Sequence, residues 1–433
     1  MTLNRRIVAL AVPAGVTLIA DPLLGIVDTA VVGRVGSVEL GALGLSVGLL
    51  GSVSWIFNFL VYGTTATVSR AVGAGDLELA GRRVAHAVWL AVGLGLSAGL
   101  MFALLAGSIV DWTGADSSLR APATSYLRIR ALGVPFLLLS YVGHGAFRGV
   151  SNTRSPLVFV IIANLLNAGL DVLLVFGFDL GLEGAAWATV AAEVVVVLLF
   201  VLRGRSLGLS LRGHGLPAQA DVRALLAIGR DLFLRTGALL LALLSVAVAS
   251  ARIGPVAAAA HQVLFSTWIF VSALLDGIAI AGQALVGTAL GRGESAEARE
   301  VAGALLRWGA WSGVAVAGVL LPLGFVAPSA LAEQQAVVEL ATSIWWFVAA
   351  AHVLSGVVFV LDGVLMGAGD FGWLRTWSVV AAALCIALVV VVRAFDGGLL
   401  WLWASLELMI AVRLVANVVR VRGGGWAVTG VTR

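Results

Sequence analysis

The sequence predicts an all-α membrane protein with twelve transmembrane helices. Of its 433 residues, 61% are hydrophobic and only 12% are charged, and the mean hydropathy is +1.06. Soluble domains contain about 25% charged residues, so this composition excludes a soluble enzyme, a disordered chain and a nucleic-acid-binding protein. The apolar runs are too long and too continuous for the alternating strands of a membrane β-barrel.

Each predicted helix is an apolar segment long enough to cross a bilayer, which requires about 20 mostly apolar residues. The first segment is interpreted as a membrane helix and not a cleaved signal peptide, because it continues to Gly33 and contains two acidic residues. The predicted segments are 7–32, 41–68, 84–110, 122–147, 156–177, 182–202, 224–251, 258–289, 299–326, 336–366, 373–394 and 398–420.

The distribution of arginine predicts the orientation of these helices. The chain carries 27 basic residues, and all of them are arginine. With the N-terminus in the cytoplasm, most arginines face that side, as the positive-inside rule requires. We therefore expect a multi-pass protein of the inner (plasma) membrane with both termini in the cytoplasm. The arginines on the opposite side are Arg34, Arg120, Arg128, Arg130, Arg252 and Arg393.

An internal repeat predicts two lobes. A single shift of 218 residues aligns three separate glycine patterns in the two halves of the chain. We expect six-helix lobes at 1–202 and 224–433, joined by a cytoplasmic linker at 203–223 and related by a pseudo-two-fold axis along the membrane normal. The aligned pairs are Gly36 with Gly254, Gly73–Asp76 with Gly291–Glu294, Gly145 with Gly363, and Gly149 with Gly367.

Acidic residues inside the predicted spans mark candidate sites, because each costs roughly 2.5–3.5 kcal/mol at the bilayer centre. Asp21 and Asp28 lie on the first segment, and Pro22 between them is expected to kink the helix. On the fifth segment, Asn167 and Asp171 are four residues apart and share one face. The other acids within predicted spans are Glu193, Asp276, Asp362 and Glu407.

Carboxylate and amide oxygens on one helix face suit a small cation such as Na⁺, or a proton relay. Thr189 on the sixth segment adds a hydroxyl, although hydrogen bonding between helices is the stronger interpretation for this residue alone. The single cysteine, Cys385, argues against a cysteine-based metal site. The sequence contains no nucleotide-binding or catalytic motif, so it predicts a transporter driven by an ion gradient, with no enzymatic activity.

The stretch Pro22–Gly33 resembles the first helix of multidrug and toxic compound extrusion (MATE) transporters of the DinF-like branch. The resemblance covers essentially the whole chain. It also rests on Asn167–Asp171, Gly184–Thr189, Asp276-Gly277 with Gln283, and Tyr126–Arg130 with Pro135.

The resemblance implies a secondary active antiporter that exports amphipathic, often cationic, compounds in exchange for H⁺ or Na⁺ by alternating access. It implies no bound cofactor, a small-molecule substrate, contact with the lipid bilayer and no nucleic acid, and a monomer. The cation-coupling residues, which would ligate Na⁺ in a sodium-coupled protein, are then Asp28, Asn167, Asp171 and Thr189. Candidates for substrate binding or a second coupling site are Asp276, Gln283 and Asp362, with pairing to arginine as the structural alternative.

Two other functions were compared with antiport. A flippase for lipids or lipid-linked precursors would favour a basic cavity, whereas the candidate residues here are acidic. A structural or channel-like protein would not need a proline between two acids of one helix. Under the 218-residue shift, Asp28, Asn167 and Asp171 align with Val246, Cys385 and Val389, so the cation site is expected in the N-terminal lobe only.

Overall fold

The computed structural model describes residues 2–209, 215 and 219–431, without the side chains of 21–23, 52, 53, 220 and 221. Regular secondary structure in these residues is helical. The helices are α1 (Leu3–Val32), α2 (Ser37–Phe57), α3 (Phe59–Gly73), α4 (Leu77–Trp112), α5 (Ser117–Gly149), α6 (Arg154–Val172), α7 (Gly181–Ser206), α8 (Gln219–Ile253), α9 (Pro255–Gly291), α10 (Ser295–Leu323), α11 (Ala327–Leu331), α12 (Gln335–Gly367), α13 (Phe371–Ala394) and α14 (Leu399–Arg422). A π-helical turn, Leu173–Gly177, directly follows α6.

Twelve helical stretches in the described residues are long and apolar enough to cross a membrane, which confirms the predicted fold class. Each coincides with one of the predicted segments. Helices α2 and α3 form one span, Ser37–Gly73, although the regular helix is interrupted between them at Asn58. The short α11 lies outside the spans.

The chain forms two compact units, Val16–Gly229 and Met1–Gly15 with Arg230–Arg433. The start of α1 therefore packs with the C-terminal half, where a Cβ on Gly277 of α9 would lie 2.6 Å from the carbonyl oxygen of Ala11. The predicted lobes 1–202 and 224–433 stay a prediction, as does the linker at 203–223. Much of that linker lies outside the described residues, and α8 begins within it, at Gln219.

Each unit contains an equivalent contact between two of its own helices, and this contact depends on glycine. In one unit, a Cβ on Gly145 of α5 would lie 2.6 Å from the carbonyl oxygen of Val61 on α3. In the other, a Cβ on Gly363 of α12 would overlap the carbonyl oxygen of Ala279 on α9. The 218-residue shift relates Gly145 to Gly363, and it also relates their contact partners, Val61 and Ala279. The repeat found in the sequence therefore corresponds to the same close backbone approach in each unit.

The aligned turns are also alike. Gly75 and Gly293 adopt positive φ angles of 75° and 88°, which favour glycine, at the turns that precede α4 and α10. An acidic residue follows each glycine at the helix N-cap, and Asp76 accepts a hydrogen bond from the backbone N–H of Leu79 at 2.7 Å. The repeated Gly-X-Gly-acid pattern is thus a turn and a helix start.

The C-terminal unit has an apolar core where the N-terminal unit has polar residues. Val246, Cys385 and Val389 are at most 5% exposed and belong to one packed cluster in the C-terminal unit. These are the positions that align with Asp28, Asn167 and Asp171. Their common cluster is consistent with the expectation that the cation site belongs to one half of the chain.

Candidate cation-coupling site

The candidate site lies within the unit Val16–Gly229 and is formed by α1, α5, α6 and α7. The backbone around it is shaped by the π turn after Asp171 and by Gly184 of α7. A Cβ on Gly184 would lie 2.8 Å from the carbonyl carbon of Leu174, so glycine allows α7 to pack directly against the π turn. Such turns are frequent at functional positions, because they change the direction of side chains within a helix.

The structure brings Asp28 of α1 and Asp171 of α6 together. Their carboxyl groups are hydrogen-bonded to each other, which requires one proton between them. Asp171 is fully buried and Asp28 is partly buried. Oδ1 of Asp171 is a buried oxygen that accepts no hydrogen bond from a donor among the described residues. A buried carboxylate oxygen beside a second carboxyl group is suited to a proton or a small cation.

Asn167 connects this acid pair to α7. With its amide nitrogen facing the acids, Nδ2 donates to Asp171 Oδ2 and to Asp28 Oδ1, each at 3.1 Å. Its Oδ1 then accepts from the backbone N–H of Thr189 at 3.1 Å, while the Thr189 hydroxyl donates to the carbonyl of Ala185 at 3.0 Å. All four predicted coupling residues therefore lie in one hydrogen-bonded group.

An arginine–glutamate pair lies beside the two aspartates. Arg130 of α5 donates to both carboxylate oxygens of Glu193 on α7, at 2.8 and 3.1 Å, and the side chains are only 12% and 14% exposed. Arg130 is also close enough to Asp28 for direct electrostatic attraction. Tyr126, one turn before Arg130 and 2% exposed, interacts with the same charges.

The charges in this cluster do not cancel. Asp28, Asp171 and Glu193 supply three negative charges when ionised, and Arg130 supplies one positive charge. Two carboxylates about 4 Å apart repel by about 4 kcal/mol at an effective dielectric constant of 20. The buried pair therefore favours uptake of a monovalent cation, and the Arg130–Glu193 ion pair limits the excess negative charge to two.

The remaining residues predicted on α1 are only partly covered by the structure. The side chains of Asp21 and Pro22 lie outside the described residues. Nearby, the amide of Asn164 on α6 donates to the carbonyl oxygen of Ala20 at 3.0 Å. This bond attaches α1 to the helix that carries Asn167 and Asp171.

The candidates of the second half lie in the C-terminal unit, in a different environment. Asp362 of α12 is 4% exposed and accepts hydrogen bonds from Arg235 at 2.6 Å, from Asn417 at 2.9 Å and from Arg413. This is the arginine pairing that the sequence left open as an alternative. Asp276 interacts electrostatically with Arg413, and Gln283 is buried on the same helix, α9.

Sequence reasoning found only one member of the arginine–glutamate pair. The sequence predicts Glu193 as an acid within a span, whereas Arg130 enters only through the orientation of the helices and a family motif, and Tyr126 only through that motif. A search of the predicted spans for a positively charged partner of Glu193 would have found Arg130, because a buried ion in a membrane needs a partner of opposite sign.

Replacing Gly133 with alanine is expected to displace the Arg130–Glu193 pair and slow transport several-fold. A Cβ at Gly133 would overlap Glu193 Oε2 and lie 2.8 Å from Arg130 Nη1. Both atoms end flexible side chains, so the pair moves while the helices keep their packing. Gly169→Ala is the matched control, because its Cβ would meet no atom within 4 Å. Initial rates of substrate transport in proteoliposomes test this, and equal rates for both variants would contradict it.

The twelve candidate spans of the described residues define the chain as a polytopic membrane protein. The chain belongs to the MatE family, whose profile matches residues 13–173 and 237–393. It is similar to the chloroplastic protein DETOXIFICATION 44 of Arabidopsis thaliana, with 36% identity over 98% of this chain and 84% of that protein.

The relatives also agree with the DinF-like branch. DNA damage-inducible protein F of Escherichia coli is 32% identical over 93% of this chain and 89% of that protein. Among solved structures, that of a MATE protein in the bent conformation matches with a TM-score of 0.88 at 18% identity, covering 98% of this chain and 95% of that one. The predicted family is confirmed.

Proposed function

We propose that this protein is an antiporter that exports amphipathic, cationic organic compounds in exchange for H⁺ or Na⁺ entering the cell. Within this proposal it acts as a monomer in the plasma membrane with both termini in the cytoplasm. Family membership favours efflux over the flippase considered above, and the relatives include proteins named for multidrug resistance.

The observation that carries the proposal is the Asp28–Asp171 contact. Two carboxyl groups that share a hydrogen bond in a largely buried place change charge together when a cation enters or leaves. Asp28 is the more exposed of the two, so it is the entry point, and Asn167 holds both acids in place.

Coupling then follows from electrostatics. With the site empty of cations, the excess negative charge attracts a cationic substrate. Binding of H⁺ or Na⁺ between the aspartates removes this attraction and the repulsion between them, which releases the substrate and lets α1 change its path near Pro22. One monovalent ion entering for one monovalent cationic substrate moves no net charge, so the concentration gradient of the ion supplies the driving force for export.

The test is transport by the full-length protein in proteoliposomes loaded with a fluorescent cationic dye. A pH gradient and a Na⁺ gradient are imposed separately, and each is then collapsed with an ionophore. We expect one of them to accelerate dye movement at least about tenfold over the rate without a gradient. No acceleration by either gradient would refute the antiport, and gradient-independent movement of a labelled lipid would support a flippase instead.

A further inference from the structure

A groove on the C-terminal unit combines a positive charge with two indole rings. It has a volume of about 310 Å³ and is lined by Asn4 of α1 and by Ala304, Arg307, Trp308 and Trp311 of α10. Trp311 is 72% exposed, and the indole N–H of Trp308 donates to Oδ1 of Asn4 at 3.2 Å. The groove is thus a defined surface held between two helices.

Arg307 has no acidic partner in the part of the chain that the structure describes. At the start of the same helix, the carboxylate of Glu297 pairs with Arg292 at 2.7 Å and with Arg6 at 3.7 Å. Two arginines that are buried deeper in spans of this unit, Arg235 and Arg413, are paired with Asp362. An exposed arginine within an apolar span that lacks an internal counter-ion needs an external one.

The depth of Arg307 indicates where that counter-ion lies. Glu300 is the last charged residue of α10 before it, seven residues or about 10 Å closer to the helix start. The guanidinium turns back in that direction, since Nη1 lies 4.0 Å from the position of a Cβ on Gly303. This is the snorkelling expected of an arginine that reaches the headgroup region, where tryptophans are also enriched.

We propose that this groove binds the phosphate of an anionic phospholipid. The guanidinium of Arg307 donates to the phosphate oxygens, and the exposed ring of Trp311 packs along the glycerol and the first part of the acyl chain. The positive charge selects a lipid with net negative charge over a zwitterionic one, whose own ammonium group competes for the phosphate.

The test is native mass spectrometry of the full-length protein in detergent, titrated with phosphatidylglycerol or phosphatidylcholine. We expect one phosphatidylglycerol to bind with at least about tenfold higher affinity than phosphatidylcholine. Arg307→Gln should remove this preference, the loss expected for a charge-assisted hydrogen bond. Trp311→Ala should weaken phosphatidylglycerol binding while the charge remains.

Arg252→Gln is the control, since Arg252 is also exposed at a helix end of the same unit but lies outside the groove. It should bind phosphatidylglycerol as the unmodified protein does. Equal binding of both lipids, or equal loss in Arg252→Gln and Arg307→Gln, would overturn the proposal. Competition by millimolar glycerol 3-phosphate as effective as that by the lipid would also overturn it, because the site would then recognise free phosphate.

Discussion

Asp28→Asn is expected to reduce gradient-driven transport to the rate measured without a gradient, a loss of at least about tenfold. Asparagine retains the shape of the side chain and can hydrogen-bond to Asp171, but it takes up no proton and gives a cation no second negative charge. Because the substitution also removes the repulsion between two buried acids, the melting temperature should stay the same or rise. Dye efflux under an imposed gradient and thermal unfolding in detergent are the two measurements.

Asp179→Asn is the matched control for this experiment. Asp179 is exposed, belongs to the same unit and has a φ angle of 54°, a conformation that asparagine tolerates well. The Asp179→Asn substitution removes one negative charge, as Asp28→Asn does, but leaves the acid pair unchanged. The transport rate of this variant should therefore match that of the unmodified protein. If Asp28→Asn exports dye at the full rate under an imposed gradient, the acid pair is not the coupling site.

Asp362→Asn should have the opposite effect on stability, with a loss of about 3–5 kcal/mol of unfolding free energy. The substitution leaves the guanidinium of Arg413, which is 4% exposed, without the carboxylate that Arg413 shares with Arg235. A buried charge that loses its partner keeps its full desolvation cost. The measurement is a lower melting temperature in detergent.

Two comparisons separate a structural role of Asp362 from a substrate site. Asp111→Asn breaks an exposed ion pair with Arg120 and should leave the melting temperature nearly unchanged. Arg413→Met in the Asp362→Asn background should restore part of the lost stability, because it removes the uncompensated charge. An unchanged melting temperature together with lost dye binding would instead place Asp362 in the substrate site.

The sequence was sufficient to predict the helices and to predict which polar residues share a helix face. It was not sufficient to predict which helix faces pack against each other. Runs of about 20 apolar residues fix the number of spans, and the four-residue spacing of Asn167 and Asp171 fixes their common face. Arg130 and Glu193 are 63 positions apart, and no local period relates them. Their pairing follows from the packing of α5 against α7, for which Gly133 leaves the space.

The same limit applies to the C-terminal unit. Asp362 is 127 positions from Arg235 and 51 from Arg413, so the sequence could only offer arginine pairing as one of two interpretations. The break at Asn58 was also missed, because the residues on both sides are apolar and continue the same span. Apolar composition predicts which segments cross a membrane, but it does not predict where a helix within such a segment is interrupted.

The apolar cluster around Val246, Cys385 and Val389 has a consequence for transport stoichiometry. With the aspartate pair present in only one copy of the repeat, the proposed cycle exchanges one monovalent ion per turnover at this position. Exchange of one such ion for one monovalent cationic substrate is electrically neutral, so within the proposal the concentration gradient of the ion limits the concentration ratio of the substrate. Within the proposal, the asymmetry between the two copies therefore limits how far export can lower the cytoplasmic concentration of the substrate.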